Sequence, residues 1–234
     1  TLLESNVGKG DVVAIFIDNR PELLACIAAA SKIGAVSALI NTSQRGEVLR
    51  HSISLVEAKA IIVGQELHGA LSEVSDCLPE DPEKRFFLED ADTFSSDASP
   101  GLVPEGWLDL AARQRANKSD NPVSTLQNRP KDACCYFYTS GTTGLPKAAI
   151  LTNGRFMKAY GGVGLACLQL GPKDRAYVTL PFYHATALVV AWGSVLAGSS
   201  GLVMARQFSA SQFWPEVRRT QATAICYVWE LCRY

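Results

Sequence analysis

A loop between two apolar segments carries the residues best suited to chemistry. Residues 138–147 read Tyr-Thr-Ser-Gly-Thr-Thr-Gly-Leu-Pro-Lys, a segment rich in hydroxyl groups with two glycines and a lysine. Glycines let the backbone approach an anion and turn N–H groups toward it, hydroxyls add donors, and the lysine supplies positive charge. The segment is therefore suited to binding a polyphosphate. The alternative is a flexible hairpin connection, because hydroxyl-rich loops are common.

Two other nucleotide-binding motifs do not fit this sequence. In the Walker phosphate loop, G-x-x-x-x-G-K-[ST], the lysine follows a glycine and precedes Ser or Thr. Here Leu145 and Pro146 separate Gly144 from Lys147, and a strand-like apolar segment follows. The dinucleotide fingerprint G-x-G-x-x-G is also absent after the first apolar strand, where residues 18–21 read Asp-Asn-Arg-Pro. These differences argue against a P-loop NTPase and a Rossmann dehydrogenase.

The segments on either side of this loop alternate between predicted strands and predicted helices. Continuous apolar strands indicate a sheet buried on both faces, and strand–helix alternation indicates parallel strands with right-handed crossovers. The fold class is therefore α/β, with mostly parallel sheets flanked by helices. The predicted strands are 12–17, 36–40, 60–63, 85–88, 133–138, 148–151, 176–180, 202–204 and 224–228. The predicted helices are 22–33, 46–56, 67–74, 107–113, 154–168, 185–197 and 210–220.

Residues 89–132 interrupt this alternation. Asp, Ser, Pro and Asn dominate the segment, which predicts a surface excursion with a short helix near 107–113. It separates a first α/β half, residues 1–88, from a second α/β part, residues 133–234, that contains the polar loop.

Composition narrows the class of protein. The 234 residues carry a formal net charge of −1, which argues against a nucleic-acid partner recognised by a basic surface. The seven cysteines include one adjacent pair, Cys134 and Cys135, and no C-x-x-C spacing. This pattern favours buried thiols in a reducing compartment over a disulfide framework or a zinc site. The first residues do not resemble a signal peptide, so we do not expect secretion.

One uncharged stretch, residues 182–205, is long enough to raise the question of a membrane span. Residues 198–201, Gly-Ser-Ser-Gly, divide it. A helix over 185–197 followed by a strand over 202–204 explains the stretch better.

The segment YTSGTTGLPKAA, residues 138–149, resembles the phosphate-binding signature of the adenylate-forming superfamily of acyl-CoA synthetases, luciferases and peptide-synthetase adenylation domains. Other segments resemble its fatty acid transport protein and very-long-chain acyl-CoA synthetase branch. These segments are GDVVAIFIDNRPE (10–22), ALINTSQR (38–45), LPFYHATA (180–187), FSASQFW (208–214) and YVWELCRY (227–234). The likeness covers most of the chain except residues 89–132.

This resemblance implies ATP-dependent activation of a fatty acid. The carboxylate attacks the α-phosphorus of ATP, pyrophosphate leaves, and the thiol of coenzyme A then attacks the acyl-adenylate. Such chemistry needs charge neutralisation and alignment more than a protein nucleophile, so we single out no catalytic residue. Mg²⁺ is implied as a bridge between phosphates. The family's metal-binding glutamate belongs to a later motif, so we expect no metal ligand among these residues.

The resemblance also implies a role for individual residues. His184 would border the acyl-adenylate site, although a histidine at a helix start is also typical of a cap or a packed polar residue. Trp229 would line the acyl pocket, with core packing as an equal alternative. The nucleotide-phosphate site would consist of a presenting strand, Tyr136, Phe137 and Tyr138, and a loop, Thr139, Ser140, Gly141, Thr142, Thr143, Gly144, Leu145, Pro146 and Lys147.

The sequence is expected to be part of a longer enzyme. The family's adenine-binding segment, ribose-binding aspartate, hinge and small C-terminal domain with its catalytic lysine are not found in it. We therefore predict that residues 1–234 belong to a large N-terminal AMP-binding domain and complete neither half-reaction alone.

The leading functional hypothesis is a long-chain or very-long-chain fatty acid–CoA ligase, with fatty acid uptake as a coupled role that the transporter branch suggests. One alternative is adenylation of a bile, aryl or amino acid. Another is a non-catalytic lipid- or nucleotide-binding homologue. The expected location is the cytoplasm or the cytoplasmic face of a membrane, and both peripheral membrane association and oligomer formation are compatible with the sequence.

Overall fold

A computed structural model of the protein describes residues 1–90, 102–117, 120–140 and 144–229. Within these residues the chain forms two sheets of mostly parallel strands, with helices packed on them. The fold class predicted from the sequence is therefore confirmed.

The first sheet is built from the apolar segments of the first two-thirds of the chain. Within the described residues, its strands are β1 (Val12–Phe16), β2 (Val36–Leu39), β3 (Ala60–Gly64), β4 (Arg85–Leu88), β5 (Leu108–Asp109), β6 (Ala133–Thr139) and β7 (Lys147–Thr152). They lie in the order β5-β4-β3-β1-β2-β6-β7. Neighbouring strands are parallel except β6 and β7, which form an antiparallel hairpin at one edge. The polar loop connects the two strands of this hairpin.

Helices cover both faces of the first sheet. The described α-helices are α1 (Pro21–Lys32), α2 (Gly46–Leu55), α3 (Gln65–Leu71), α4 (Leu110–Ala116), α5 (Asn153–Ala159), α6 (Gly193–Gly198) and α7 (Ala210–Thr220). Successive residues of a strand point to opposite faces. Val13 and Ile15 therefore join the core that includes α1, whereas Ala14 and Phe16 join the core that includes α2 and α3. Burial on both faces is why β1 is apolar throughout.

Part of the predicted excursion joins the first sheet. Leu108 and Asp109 pair in parallel with Phe86 and Phe87 of β4. The Asp109 carboxylate then accepts a hydrogen bond from the backbone N–H of Ala112 at 2.9 Å and caps α4, which begins three residues later than predicted. Because β6 and β7 also belong to this sheet, a division of the chain at residue 132 does not separate the two sheets.

The second sheet consists, in the described part of the chain, of β8 (Arg175–Val178), β9 (Gly201–Met204) and β10 (Ala224–Cys226), in the parallel order β10-β8-β9. The uncharged stretch after β8 contains a helix and then a strand, as predicted. Its helix has wide π-helical turns over Thr186–Trp192 and continues as α6. Helix α5 likewise continues in π-helical turns over Tyr160–Leu168. Among the described residues, no helix has the length and apolar character needed to cross a bilayer.

A buried amide side chain joins the two sheets. Asn19 follows β1 and is only 6% exposed. Its Nδ2 donates to the carbonyl oxygens of Leu180 at 2.9 Å and Ala205 at 3.2 Å, and its Oδ1 accepts from the N–H of Phe182 at 3.0 Å. Leu180 and Phe182 follow β8, and Ala205 follows β9. One side chain of the first sheet therefore fixes two segments of the second.

Charged side chains make a second connection beside Asn19. The Arg20 guanidinium, 5% exposed, donates to the carbonyl oxygens of Leu88 at 3.1 Å and Glu89 at 2.7 Å. Asp90, which follows β4, forms ion pairs with Arg20 and with Arg206, which follows β9. The hydrogen bond from Arg206 lowers the pKa of the Asp90 carboxyl below its usual range, although partial burial opposes that shift.

We predict that Asn19→Ala lowers the free energy of unfolding by about 2–4 kcal/mol, because it leaves buried backbone groups unpaired. Urea unfolding of the variant and the wild type measures this difference. Asn117→Ala is the matched control, because the Asn117 amide also makes three hydrogen bonds but all of them are exposed. The control should change the free energy of unfolding by about 0.5 kcal/mol or less. Equal losses in the two variants would contradict the role given to Asn19.

We also predict that the connection through Asp90 depends on pH. Since its pKa is lower in the folded than in the unfolded protein, its stabilisation is complete above the unfolded pKa of about 3.9 and is lost as pH falls through the folded pKa. Asp90→Asn should therefore be less stable than the wild type at pH 7, and the difference should shrink toward pH 3. Urea midpoints measured across this range test it. A difference that is constant with pH would show that the carboxylate charge contributes nothing.

Candidate functional site

The two described arms of the polar loop, at the end of the β6–β7 hairpin, are open to solvent. The register of the hairpin places Thr139 opposite Lys147. Ser140 and Gly144, on the two arms of the loop, are also exposed. Gly144 has a φ of +87°, in the left-handed region that L side chains rarely adopt, so the turn needs glycine here. The predicted site residues Gly141, Thr142 and Thr143 lie outside the described residues.

Lys147 is available to an anionic ligand. Its side chain is exposed, and within the described ranges its ammonium group makes no ion pair or hydrogen bond with the protein. Thr139 faces it across the mouth of the hairpin. A hydroxyl and an uncommitted cation on opposite arms of one loop can contact the same polyphosphate.

The three predicted residues of the presenting strand lie in β6, but their side chains have different surroundings. Phe137 is buried in the core that includes α1, and Tyr138 in the core that includes α2. The Tyr138 hydroxyl donates to the carbonyl oxygen of Ser52 in α2 at 2.6 Å, and burial raises the pKa of this phenol. Tyr136 is half-buried and lines a cavity of about 550 Å³ between α2 and the hairpin. Tyr138 and Phe137 therefore anchor the strand.

The return arm of the loop also contacts α2. The Nε2 atom of His51 lies 2.9 Å from the carbonyl oxygen of Pro146. Pro146 directly precedes Lys147, so this hydrogen bond joins α2 to the backbone next to the candidate phosphate-binding cation. Leu145 is exposed and lines the same cavity as His51.

His184 lies where the sequence places it, at the junction between β8 and the following helix. Its carbonyl oxygen accepts from the N–H of Leu188 at 3.1 Å, so the first helical turn begins here. The imidazole lies beside the Tyr183 ring, with 4.7 Å between the ring centroids, and is exposed to solvent. Its partial desolvation lowers the pKa of His184, which favours the neutral imidazole at pH 7. The helix start has no side-chain cap hydrogen bond. The alternative of a packed polar residue and a place beside the acyl-adenylate both stay predictions.

Tyr183 packs against the core that includes α1 and so connects the His184 segment to the first sheet. Burial raises the pKa of its phenol, and the nearby Thr42 and Ser43 side chains partly offset that rise. Thr42 and Ser43 follow β2, which pairs in parallel with β6. The His184 segment and the polar loop therefore lie at the same edge of the first sheet, beyond the carboxyl ends of β2 and β6. Ligands of open α/β sheets bind at such an edge.

Trp229 lies at the end of the described residues and is 86% exposed. This exposure tests neither of the two interpretations of this residue, because the residues that would follow Trp229 lie outside the described part of the chain. A role in an acyl pocket stays a prediction.

Sequence reasoning missed three residues of this region. In the sequence, Asn19 is only part of a segment that lacks the dinucleotide fingerprint, and Tyr183 is only part of the segment LPFYHATA. No motif singles out His51. Their partners lie far away in sequence, so the local pattern could not identify them.

A family model and several curated relatives match this chain. A family model described as AMP-binding enzyme matches residues 1–234. The chain is 36% identical to the Medium/long-chain-fatty-acid–CoA ligase FadD6 of Mycobacterium tuberculosis and 34% identical to the mouse Long-chain fatty acid transport protein 6. Each alignment covers 100% of this chain and 36% of the relative, so the chain spans about a third of these curated relatives.

Solved structures show the same fold. The N-terminal domain of FACL13 from Mycobacterium tuberculosis superimposes with a TM-score of 0.73 at 24% identity, over 94% of this chain and 50% of that one. The anthranilate CoA ligase AuaEII, in complex with anthranoyl-AMP, superimposes with a TM-score of 0.82 at 19% identity, over 96% of this chain and 41% of that one.

We predict that Tyr138→Phe lowers the free energy of unfolding by about 1 kcal/mol, because it removes the buried hydrogen bond to Ser52 while keeping the ring. Thermal or urea unfolding measures the change. Tyr136→Phe is the matched control, since the described residues give the Tyr136 hydroxyl no hydrogen-bond partner. If both variants lost the same stability, the Tyr138 hydroxyl would not anchor the strand.

Proposed function

The chain belongs to the AMP-binding enzyme family, and we propose that the complete protein is a fatty acid–CoA ligase for long-chain or very-long-chain fatty acids. The observation that carries this proposal is the pair of exposed loop arms in the β6–β7 hairpin, where Thr139 lies opposite Lys147 and the Lys147 ammonium group pairs with no described residue. The choice of a fatty acid is supported by the names of the relatives, a fatty-acid–CoA ligase and a fatty acid transport protein. Fatty acid uptake would be coupled to the ligase reaction.

The proposed reaction has two steps. A carboxylate oxygen of the fatty acid attacks the α-phosphorus of ATP, and the bond to the leaving pyrophosphate breaks with its electron pair on pyrophosphate. The thiolate sulfur of coenzyme A then attacks the acyl carbonyl carbon and AMP leaves. Both steps form or release anions, so fixed donors and a cation lower the barrier more than a nucleophile would.

Residues of this chain would act on the phosphates in the first step. We assign the β and γ phosphates to the loop, with donors from Thr139 and Ser140, close backbone approach at Gly144, and positive charge from Lys147. The predicted residues 141–143 would complete this set. Mg²⁺ would neutralise phosphate charge when bound. Among the described residues no group of three His, Cys, Asp or Glu side chains could hold a metal ion, so no residue of this chain is assigned to it.

The acyl end of the substrate would lie near the carboxyl end of β8. His184, exposed and with a lowered pKa, would border the acyl-adenylate as a neutral imidazole. Trp229 would offer its exposed ring to the acyl chain. Long-chain fatty acids partition into bilayers, so we propose that the complete enzyme works in the cytoplasm at or near the cytoplasmic face of a membrane.

We predict that the complete protein releases pyrophosphate from ATP with oleate but not with amino acids or aryl acids. A pyrophosphate-release assay over this panel of carboxylates, followed by detection of the acyl-CoA, tests the proposal. Pyrophosphate release with only an aryl or amino acid would show that the substrate is that carboxylate and not a fatty acid. Binding of ATP and oleate without any thioester would identify a non-catalytic homologue.

Lys147→Ala should lower kcat/KM for ATP about 100-fold in the same assay, because the loop loses its charge on the departing pyrophosphate. Lys158→Ala is the matched control, since Lys158 is an exposed lysine of α5 outside the hairpin. Equal activity of the Lys147 variant and the control would show that the loop is not part of the proposed site.

A further inference from the structure

Two consecutive residues of α2 hold the two arms of the polar loop. The arm that enters the loop is held through Tyr138, whose hydroxyl donates to the Ser52 carbonyl at 2.6 Å. The arm that leaves the loop is held through Pro146, whose carbonyl lies 2.9 Å from Nε2 of His51. The first contact joins residues that lie 86 positions apart in sequence, and the second joins residues that lie 95 positions apart. The last turns of α2 therefore act on both ends of the same loop.

We propose that His51 is a positioning residue for nucleotide binding, which acts by fixing the peptide bond between Pro146 and Lys147. A carbonyl oxygen only accepts hydrogen bonds, so Nε2 of His51 must carry the proton and donate.

The geometry of the peptide bond explains how this contact reaches Lys147. In a trans peptide the C=O and the following N–H point in opposite directions. No described peptide bond is cis, so holding the Pro146 carbonyl toward α2 turns the Lys147 N–H away from α2. This contact acts together with the pairing of Lys147 and Thr139 in the hairpin to orient the backbone from which the Lys147 side chain emerges. His51 would then place the cation without touching the nucleotide itself.

The return arm has few other restraints. Gly144 and Leu145 are exposed, and Gly144 has the conformational freedom of a residue without a Cβ atom. Within the described ranges, residues 144–146 make one hydrogen bond to the rest of the chain, and its partner is His51. The cavity of about 550 Å³ beside them, lined also by Val56 and Glu57, leaves room for the arm to shift. Loss of this hydrogen bond should therefore move the arm rather than unfold the sheet.

The inference rests on the proposed function for its kinetic test. In the complete protein, His51→Leu should raise KM for ATP about fivefold, the effect of one lost neutral hydrogen bond, and leave KM for oleate unchanged. His51→Gln should restore the wild-type KM for ATP, because its side-chain amide can donate to the same carbonyl. A role in folding alone would not separate the two KM values and would not be rescued by Gln.

His68→Leu is the matched control. His68 is a partly buried histidine of α3, and its ring packs against Phe87 and Trp107 rather than the loop. This variant should keep both KM values, and melting temperatures of all three variants establish that they are folded. An unchanged KM for ATP in His51→Leu, or a Gln variant no better than Leu, would overturn the proposal.

A second measurement needs no substrate. Amide hydrogen exchange of a peptide covering residues 144–149 should be several-fold faster in His51→Leu than in the wild type, His51→Gln or His68→Leu. Equal exchange in all four proteins would overturn the positioning role even if the enzyme is a fatty acid ligase. Faster exchange in His51→Leu, with no pyrophosphate release from the wild type on oleate, would support the positioning role and reject the proposed substrate.

Discussion

The position of one sheet relative to the other depends on the hydrogen bonds of Asn19. The two sheets share no strand pairing in the described residues, and the core that spans them is apolar. Apolar burial is not directional, so by itself it allows packed layers to slide. Asn19 adds three directional contacts in a buried place, where unpaired backbone groups of Leu180, Phe182 and Ala205 would be costly. A shifted packing would lose all three contacts together.

This constraint extends to the candidate site through a continuous path of contacts. Asn19 holds the N–H of Phe182, and the next residue, Tyr183, reaches Thr42 and Ser43 at the carboxyl end of β2. That segment leads into α2, whose residues Ser52 and His51 hold the two arms of the polar loop. The residues proposed for the acyl-adenylate and those proposed for the phosphates are therefore placed by one framework, with α2 between them.

Most strands and helices of this framework could be predicted from the sequence, because each is indicated by a pattern of neighbouring residues. Continuous apolar segments located the long strands, and β4 was predicted with its observed bounds. The two-residue β5 carries no apolar run of its own, and it forms because Phe86 and Phe87 offer an open strand edge to pair with. The hydrogen bonds of Asn19 and His51 join positions about 100 or more residues apart, so no local pattern reveals them. The residue types of the loop identified it in the sequence. The residues that position the loop are revealed only by tertiary contacts.

The polar loop and the residues that follow β8 and β10 would contact different parts of the substrates. This difference bears on which acid is activated. The loop would contact phosphates, which every adenylating enzyme of this kind receives from the same ATP, so its residues carry no information about the acid. An exposed lysine that pairs with no carboxylate of the described residues suits that general task, because none of those carboxylates must be displaced before phosphate binds. Discrimination among acids requires shaped apolar surface instead. In this chain the residues that could provide it follow β8 and β10 and include His184 and Trp229. Under the proposed function, changes at those positions would alter the acid that is activated, whereas changes in the loop or in His51 would alter the use of ATP for every acid alike.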